Sequence, residues 1–401
     1  MPPTMTVPGR LSHRGGRGVR GVLLAPCLAL AFVAPRHAHA QAPAAAAPAT
    51  MTIADVRKLV RLGEPQLSPD GRTALVVVSR PDYATNAWRA ELVAVDVRTG
   101  AQSVLVRDRP GLGHPRWSPS GDRIAFLAAA GAVRQIHLLA RAGGEPAVIT
   151  RGPAGVQHFA WRPDGRALAW ATADPRPPRA DSARFDDAFE VANDHYMTTA
   201  PPTPSHAWFV LVDGLAAAAA PVRLTSGSWS LSTSLGGSPL AWARDGRTIA
   251  FVRLASASPG DTDQGTVTLL GVDSVGTPIG AARALTGHAS REASPPWSPD
   301  GARLAYTWPK DGDPANIDEV RVAPSTGGAG QVVTGTLDRH VTNVVGWSMD
   351  GKALLVGGTD GTRSALWWQE IGGRAARLPL GDVVTVSAAS LSASGGVALV
   401  G

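Results

Sequence analysis

Cysteine is almost missing from this sequence of 401 residues: Cys27 is the only one. No intrachain disulfide can form, so whatever core the chain builds must hold by burial alone. Lysine is nearly as scarce, at Lys58, Lys310 and Lys352, with arginine at almost every other cationic position. That bias, beside abundant Ala and Gly, reads as genome composition and carries no chemistry. The apolar segment 21–35 is too short to span a bilayer, so no membrane span is expected. No histidine pair has the H-E-x-x-H arrangement or another zinc spacing, and neither a metal nor a cofactor is expected.

The apolar segment belongs instead to a leader. Arg10, Arg14, Arg17 and Arg20 precede it, and Ala38-His-Ala40 offers a small-x-small cleavage site before Gln41. Residues 1–40 therefore read as a secretory signal peptide cut after Ala40, which places the mature chain in the periplasm or outside the cell. Lipidation at Cys27 is disfavoured by Pro26 before it. Residues 41–50 are an Ala/Pro linker with nothing to pack. The leader holds five arginines and no acid, so its removal lowers the formal charge from +6 to +1. The basic balance is then the leader's, and no nucleic-acid partner is expected of the folded part, residues 51–401.

Within that part a short cassette recurs seven times. The copies are Leu67-Ser-Pro-Asp-Gly71, Trp117-Ser-Pro-Ser-Gly121, Trp161-Arg-Pro-Asp-Gly165, Trp242-Ala-Arg-Asp-Gly246, Trp297-Ser-Pro-Asp-Gly301, Trp347-Ser-Met-Asp-Gly351 and Leu391-Ser-Ala-Ser-Gly395. Each reads as the end of one strand, a turn in which Pro pre-sets φ and Asp-Gly tolerates φ > 0, and the start of a second, apolar strand. The steps between copies are 50, 44, 81, 55, 50 and 44 residues. Five of the six fit a four-stranded propeller blade of roughly 40 to 50 residues. The fold class expected is all-β: a β-propeller of about seven four-stranded blades, its last blade incomplete because the sequence stops inside the second strand of the seventh repeat.

The 81-residue step marks an insertion, about 174–206, of roughly 36 residues beyond the period. Its middle has helical spacing, with Phe185, Ala188, Phe189, Ala192 and Tyr196 on one face and Asp186, Glu190 and Asp194 on another. Prolines bound it on both sides. The acidic stripe either faces solvent or, if two carboxylates converge in a water-poor cleft, holds a cation such as the free α-amino end of a peptide.

Nucleophilic chemistry has little foothold. A hydrolase elbow needs G-x-S-x-G, and the nearest string, Gly346-Trp-Ser-Met-Asp-Gly351, puts Asp350 where glycine is required. It also falls in register with the cassette, which makes Ser348 a turn residue. His114, His288 and His340 precede or approach inner strands, where they are either structural or an axial cluster. Asp70, Asp164, Asp245, Asp300 and Asp350 repeat with the blade and are structural. No catalytic residue is expected in this chain.

The segment from Thr52-Ile-Ala-Asp-Val-Arg-Lys-Leu-Val to Gln66-Leu-Ser-Pro-Asp-Gly71, followed by Val76-Val-Val-Ser-Arg80, resembles the start of the propeller in the prolyl oligopeptidase family of serine peptidases, in particular its dipeptidyl peptidase and acylaminoacyl peptidase branches. The cassette itself is similar to the repeat of those propellers and of TolB-like proteins. The resemblance implies a propeller that limits access to an α/β-hydrolase domain carrying serine, aspartate and histidine, a domain absent from these 401 residues. It also implies, through the acidic residues that hold a substrate's amino terminus in dipeptidyl peptidases, a binding role for Asp186, Asp187 and Glu190. Two readings stand: the substrate-gating propeller of a secreted peptidase acting on short peptides, silent by itself, or a complete periplasmic TolB-like propeller that binds other proteins.

Overall fold

The computed structural model describes residues 51–176, 201–232, 240–258, 264–288, 291–293 and 295–401. The leader, the linker and most of the insertion, with Asp186, Asp187 and Glu190, lie outside the described residues. Strands dominate what is described, and the one α-helix is the four-residue Ile53–Val56. The chain is an all-β propeller. Its antiparallel sheets follow in chain order, six of them with three to five strands and a seventh with two, Ala388–Leu391 and Val397–Val400.

Each cassette joins the innermost strand of a sheet to the next one out, as expected. Gln66–Leu67 pairs with Thr73–Asp82, Gly113–Trp117 with Arg123–Ala130, and Val341–Trp347 with Ala353–Asp360. The turn chemistry is more specific than a φ-tolerant Asp-Gly pair. Only the glycine takes left-handed φ, +71° at Gly71 and +68° at Gly351, and its N–H bonds back to the serine carbonyl at 2.8 and 2.9 Å. The aspartate instead receives the serine hydroxyl, 2.5 Å for Ser68–Asp70 and 2.7 Å for Ser348–Asp350. The serine Oγ in turn accepts the N–H five residues on, Thr73 at 3.0 Å and Ala353 at 2.9 Å. A serine closes the loop and an aspartate orients the serine.

Apolar runs on the second and third strands bury against neighbouring sheets. Five clusters result, joining the first sheet to the second through Leu75, Leu92, Ile124 and Phe126, and so on around to the fifth and sixth through Val320, Trp347 and Trp367. The seventh sheet joins none of them. It is held to the first sheet by contacts such as the Leu67 N–H on Ser390 Oγ, 3.3 Å, and the segment leading into it is tied to the sixth by the Ser364 N–H on the Val384 carbonyl, 2.9 Å.

Because the strands are antiparallel, the cassettes share one face, the cassette face. The second-to-third hairpins lie on the other, the far face, with the insertion between Ala173 and Ser205. Arg61 and Leu62 pair with Ser79 and Val78, toward the far end of their partner strand, and Val400 pairs with Ala388 at the start of the seventh inner strand. Both ends of the propeller chain therefore lie on the far face.

Candidate functional site

Alternate residues of a strand face the same way, so each inner strand shows the propeller axis the residues one and three positions before its cassette. In the first three sheets those positions hold Glu64 and Gln66, His114 and Arg116, and His158. In the later sheets they are small or apolar: Ala241, Pro296, Val344, Ala388 and Ser390. These residues line an axial cavity of about 780 Å³, to which every sheet contributes. Its wall also includes Gly357 to Thr359 and Val386 to Ala388, so it lies toward the far face. Register shifts at Val341/Asn343 and Val344/Gly346 bulge the sixth inner strand and bring Asn343 to the wall. A Cβ on Gly357 would collide with Asn343 Oδ1, and one on Gly358 with the His340 carbonyl. Glycine is needed there for the strand to pass the bulge.

The two walls differ in charge. Arg116 Nη2 donates to both oxygens of Glu64, at 3.1 and 3.0 Å, and Gln66 Nε2 donates to Glu64 Oε1 at 3.2 Å. Arg116 Nη1 is tied to the Pro115 carbonyl at 2.9 Å, so the guanidinium is fixed in place. Beside it the His114 and His158 rings lie 5.3 Å apart at 55°. His114 takes a left-handed φ of +50°, and its Nδ1 is buried without a hydrogen-bond partner. Burial first, then the Arg116 charge, lowers the pKa of both imidazoles, that of His158 to about 3. Both rings are neutral at physiological pH, and among the described lining residues the formal charges are those of the Glu64–Arg116 pair. Such a cavity presents a fixed ion pair and neutral hydrogen-bonding groups, among them the hydroxyls of Ser387 and Ser390, opposite a small, uncharged wall.

The sequence-derived candidates fall in different places. His114 is in the cavity, but His288 and His340 are not with it. His288 stacks on Trp308, 4.1 Å between centroids, and bonds through Nδ1 to the buried Glu292 at 3.1 Å, while His340 Nε2 lies 3.5 Å from Asp318 Oδ2 near the surface. No axial triple forms. Glu64, Arg116 and His158 were not singled out from sequence, although Glu64, His114 and His158 share one signal, a place three residues before their cassette. Ser348 is in a turn, committed to Asp350 and to the Ala353 N–H. No group of three His, Cys, Asp or Glu among the described residues is placed to hold a metal. No helix among them is long and apolar enough to cross a membrane.

The insertion is described only at its root. Asp174 donates its N–H to the Pro204 carbonyl at 2.8 Å and accepts Arg223 Nη2 at 2.8 Å. The buried His206 bonds Thr225 Oγ1 and the Gly227 carbonyl, both at 3.1 Å, directly beneath. Two strands and a buried polar knot thus hold the described residues on either side of the insertion on the face where the cavity lies.

An all-β propeller with an axial cavity defines the class, and the chain resembles the propeller portion of prolyl oligopeptidase-family peptidases. No protein-family model matches it. Among curated proteins it is 36% identical over 78 residues to dipeptidyl-peptidase 5 of Porphyromonas gingivalis, 20% of this chain and 11% of that one. It is 24% identical over 199 residues to dipeptidyl-peptidase 5 of Porphyromonas endodontalis, 47% of this chain and 29% of the relative. The alignments thus span less than a third of these relatives. Among solved structures, the acylaminoacyl peptidase of Pyrococcus horikoshii superposes with a TM-score of 0.59 at 14% identity, over 84% of this chain and 48% of that one. The propeller domain of the trilobed protease of Pyrococcus furiosus superposes with a TM-score of 0.57 at 14% identity, over 86% of this chain and 93% of that domain. These superpositions speak for the fold.

Proposed function

We propose that the chain is the substrate-gating propeller of a secreted serine peptidase of the prolyl oligopeptidase kind, acting on short peptides, and that it performs no catalysis by itself. The observation that carries this reading is the axial cavity, lined by all the sheets and lying on the face where the propeller chain begins and ends. A domain covalently attached at that face would receive its substrate through or past the cavity. Sequence relatives named peptidase and dipeptidyl-peptidase support the same reading. In it the propeller has seven blades, the seventh completed by strands beyond Gly401, and an α/β-hydrolase domain supplies serine, aspartate and histidine. Residues 1–40 are an export signal. Asp186, Asp187 and Glu190 on the insertion hold the substrate's free amino terminus.

The test is the reading frame together with the chain's own reactivity. Roughly 250 further residues with an elbow serine and later Asp and His are expected, a usual domain size. The 401-residue chain is expected to turn over neither chromogenic dipeptides nor acyl-amino-acid substrates. A stop codon after Gly401, or turnover by the chain alone, would overturn the reading. In the complete protein Glu190→Gln is expected to weaken selection for a free amino terminus; unchanged selectivity would remove that residue from the site.

A further inference from the structure

An exposed arginine stands beside the axial cavity and makes no ion pair among the described residues. Arg134 lies at the start of the strand Val133–Ala140, on the far face. Its stem crosses Gly111, just ahead of the second inner strand: a Cβ on Gly111 would lie 2.9 Å from Arg134 Cγ, and Gly111 has a φ of +70°. Its backbone lies against Gly155, just ahead of the third inner strand, where a Cβ would stand 3.5 Å from the Arg134 nitrogen. The side chain is thus held where the strands carrying His114, Arg116 and His158 begin. After burial and the Arg116 charge, the Arg134 charge also lowers the pKa of both imidazoles, so its guanidinium is within electrostatic reach of both rings.

The charges and donors around these rings do not balance. Glu64 answers Arg116, and Arg134 leaves the group with positive charge in excess. Arg116 spends part of its fork on Glu64 and Pro115 and keeps further N–H groups. His114 lines the cavity with Nδ1 buried and unpaired, so Nε2 is the ring nitrogen left to meet a solute. Two guanidinium groups and two imidazoles around one recess make an anion receptor, and the planar fork of arginine matches a carboxylate. The opposite wall narrows the anion. Pro296, Val344 and Ala388 suit short apolar side chains, while Thr342, Asn343 and Ser390 offer hydrogen bonds to peptide groups. A volume of about 780 Å³ accommodates a peptide of a few residues.

We infer that the axial cavity seats a carboxylate, the C-terminal end of a short peptide, between Arg116, Arg134, His114 and His158, an inference that rests on the peptidase reading. The site then selects peptides by their free C-terminus and limits their length. The experiment is calorimetry of the 401-residue chain with trialanine and with trialanine amide, beside fluorophosphonate labelling of the complete gene product. The free acid is expected to bind at least roughly tenfold more tightly than the amide, a preference lost in Arg134→Gln. Arg134 is exposed, so the variant is expected to fold. A bound carboxylate raises the imidazole pKa values again, so binding should take up protons and tighten from about pH 7 to about pH 5, where the peptide's own carboxyl stays ionised. Equal binding of acid and amide, or an unaltered preference in Arg134→Gln, would overturn the seat, and a labelled product would then leave the peptidase reading standing. Inorganic phosphate binding as tightly as the acid would assign the site to anions at large and refute the peptide. A complete product that takes no label would overturn the peptidase reading, and with it the part of the site in substrate selection.

Discussion

Four junctions between sheets are built alike, and the one beside the insertion is built differently. Trp117, Trp161, Trp297 and Trp347 each donate Nε1–H to the backbone carbonyl just before the preceding cassette, at Gln66, Arg116, Ala241 and Pro296, over 3.0 to 3.3 Å. Between the third and fourth sheets the equivalent donor, Trp242 Nε1, is buried without a partner. The cassette serine is missing on both sides of that junction, replaced by Arg162 and Ala243. Arg162 makes the connection instead: it donates to the Ser274 carbonyl at 2.9 Å, pairs with Asp164 at 2.8 Å and lies 5.4 Å from the Phe209 ring centre. A buried guanidinium has taken over from a tryptophan clamp and a serine turn where the repeat is interrupted. The polar part of each regular junction is a tryptophan clamp, and that of the irregular one is centred on Arg162, while an apolar cluster packs beneath both kinds.

Substitutions sharpen that contrast. The largest effect is expected from Arg162→Ala, which uncovers Phe209 and leaves the Ser274 carbonyl without its donor. A loss of about 2 kcal/mol is expected, below the range for fully buried pairs because Asp164 is partly exposed. Chemical denaturation reads it, and a loss no greater than that of Ser298→Ala would erase the distinction.

Next comes acid. The unfolded chain protonates His158 near pH 6.5, whereas the folded chain resists down to about 3. Stability should therefore fall as pH drops below 6.5, and the His158 share of that fall is about 2 kcal/mol between pH 7 and 5. Cassette carboxylates such as Asp70 and Asp350, held low by the serine hydroxyl first and then a backbone N–H, withdraw their contribution only below their ordinary range. His158→Gln is expected to make the slope of this upper window shallower, with His114, His137, His206 and His288 still contributing to it; an unchanged slope there would show that the His158 ring is not among the groups titrating.

A smaller effect separates two tryptophans. Trp347→Phe should cost about 1 kcal/mol more than Trp242→Phe, since only the first loses a hydrogen bond. Equal costs would mean that the Nε1 donors contribute nothing. Smallest of all, Ala243→Ser restores a regular cassette beside Asp245 and the Thr248 N–H. It is expected to stabilise by a few tenths of a kcal/mol, and destabilisation would show that the site cannot accept the hydroxyl.

These contrasts also mark where sequence was sufficient. The cassette turns and the structural role of Ser348 were legible because each rests on residues within a few positions of one another, and the propeller because the cassette recurs at the spacing of a blade. The cavity was not, because its wall is assembled from single residues on separate strands. Glu64, His114 and His158 are neighbours only after the sheets close round the axis. Arg162 was hidden for another reason: it stands in a serine's place, and its partner at Ser274 belongs to the next sheet. The carboxylates Asp186, Asp187 and Glu190 stay a proposal read from spacing.

The most direct measurement of the central claim is to label the complete native gene product with a fluorophosphonate and map the modified peptide. Modification of a serine beyond Gly401, with none on residues 1–401, is expected. Label on Ser348, or a complete product that takes no label, would contradict the reading of this propeller as the non-catalytic gate of a serine peptidase.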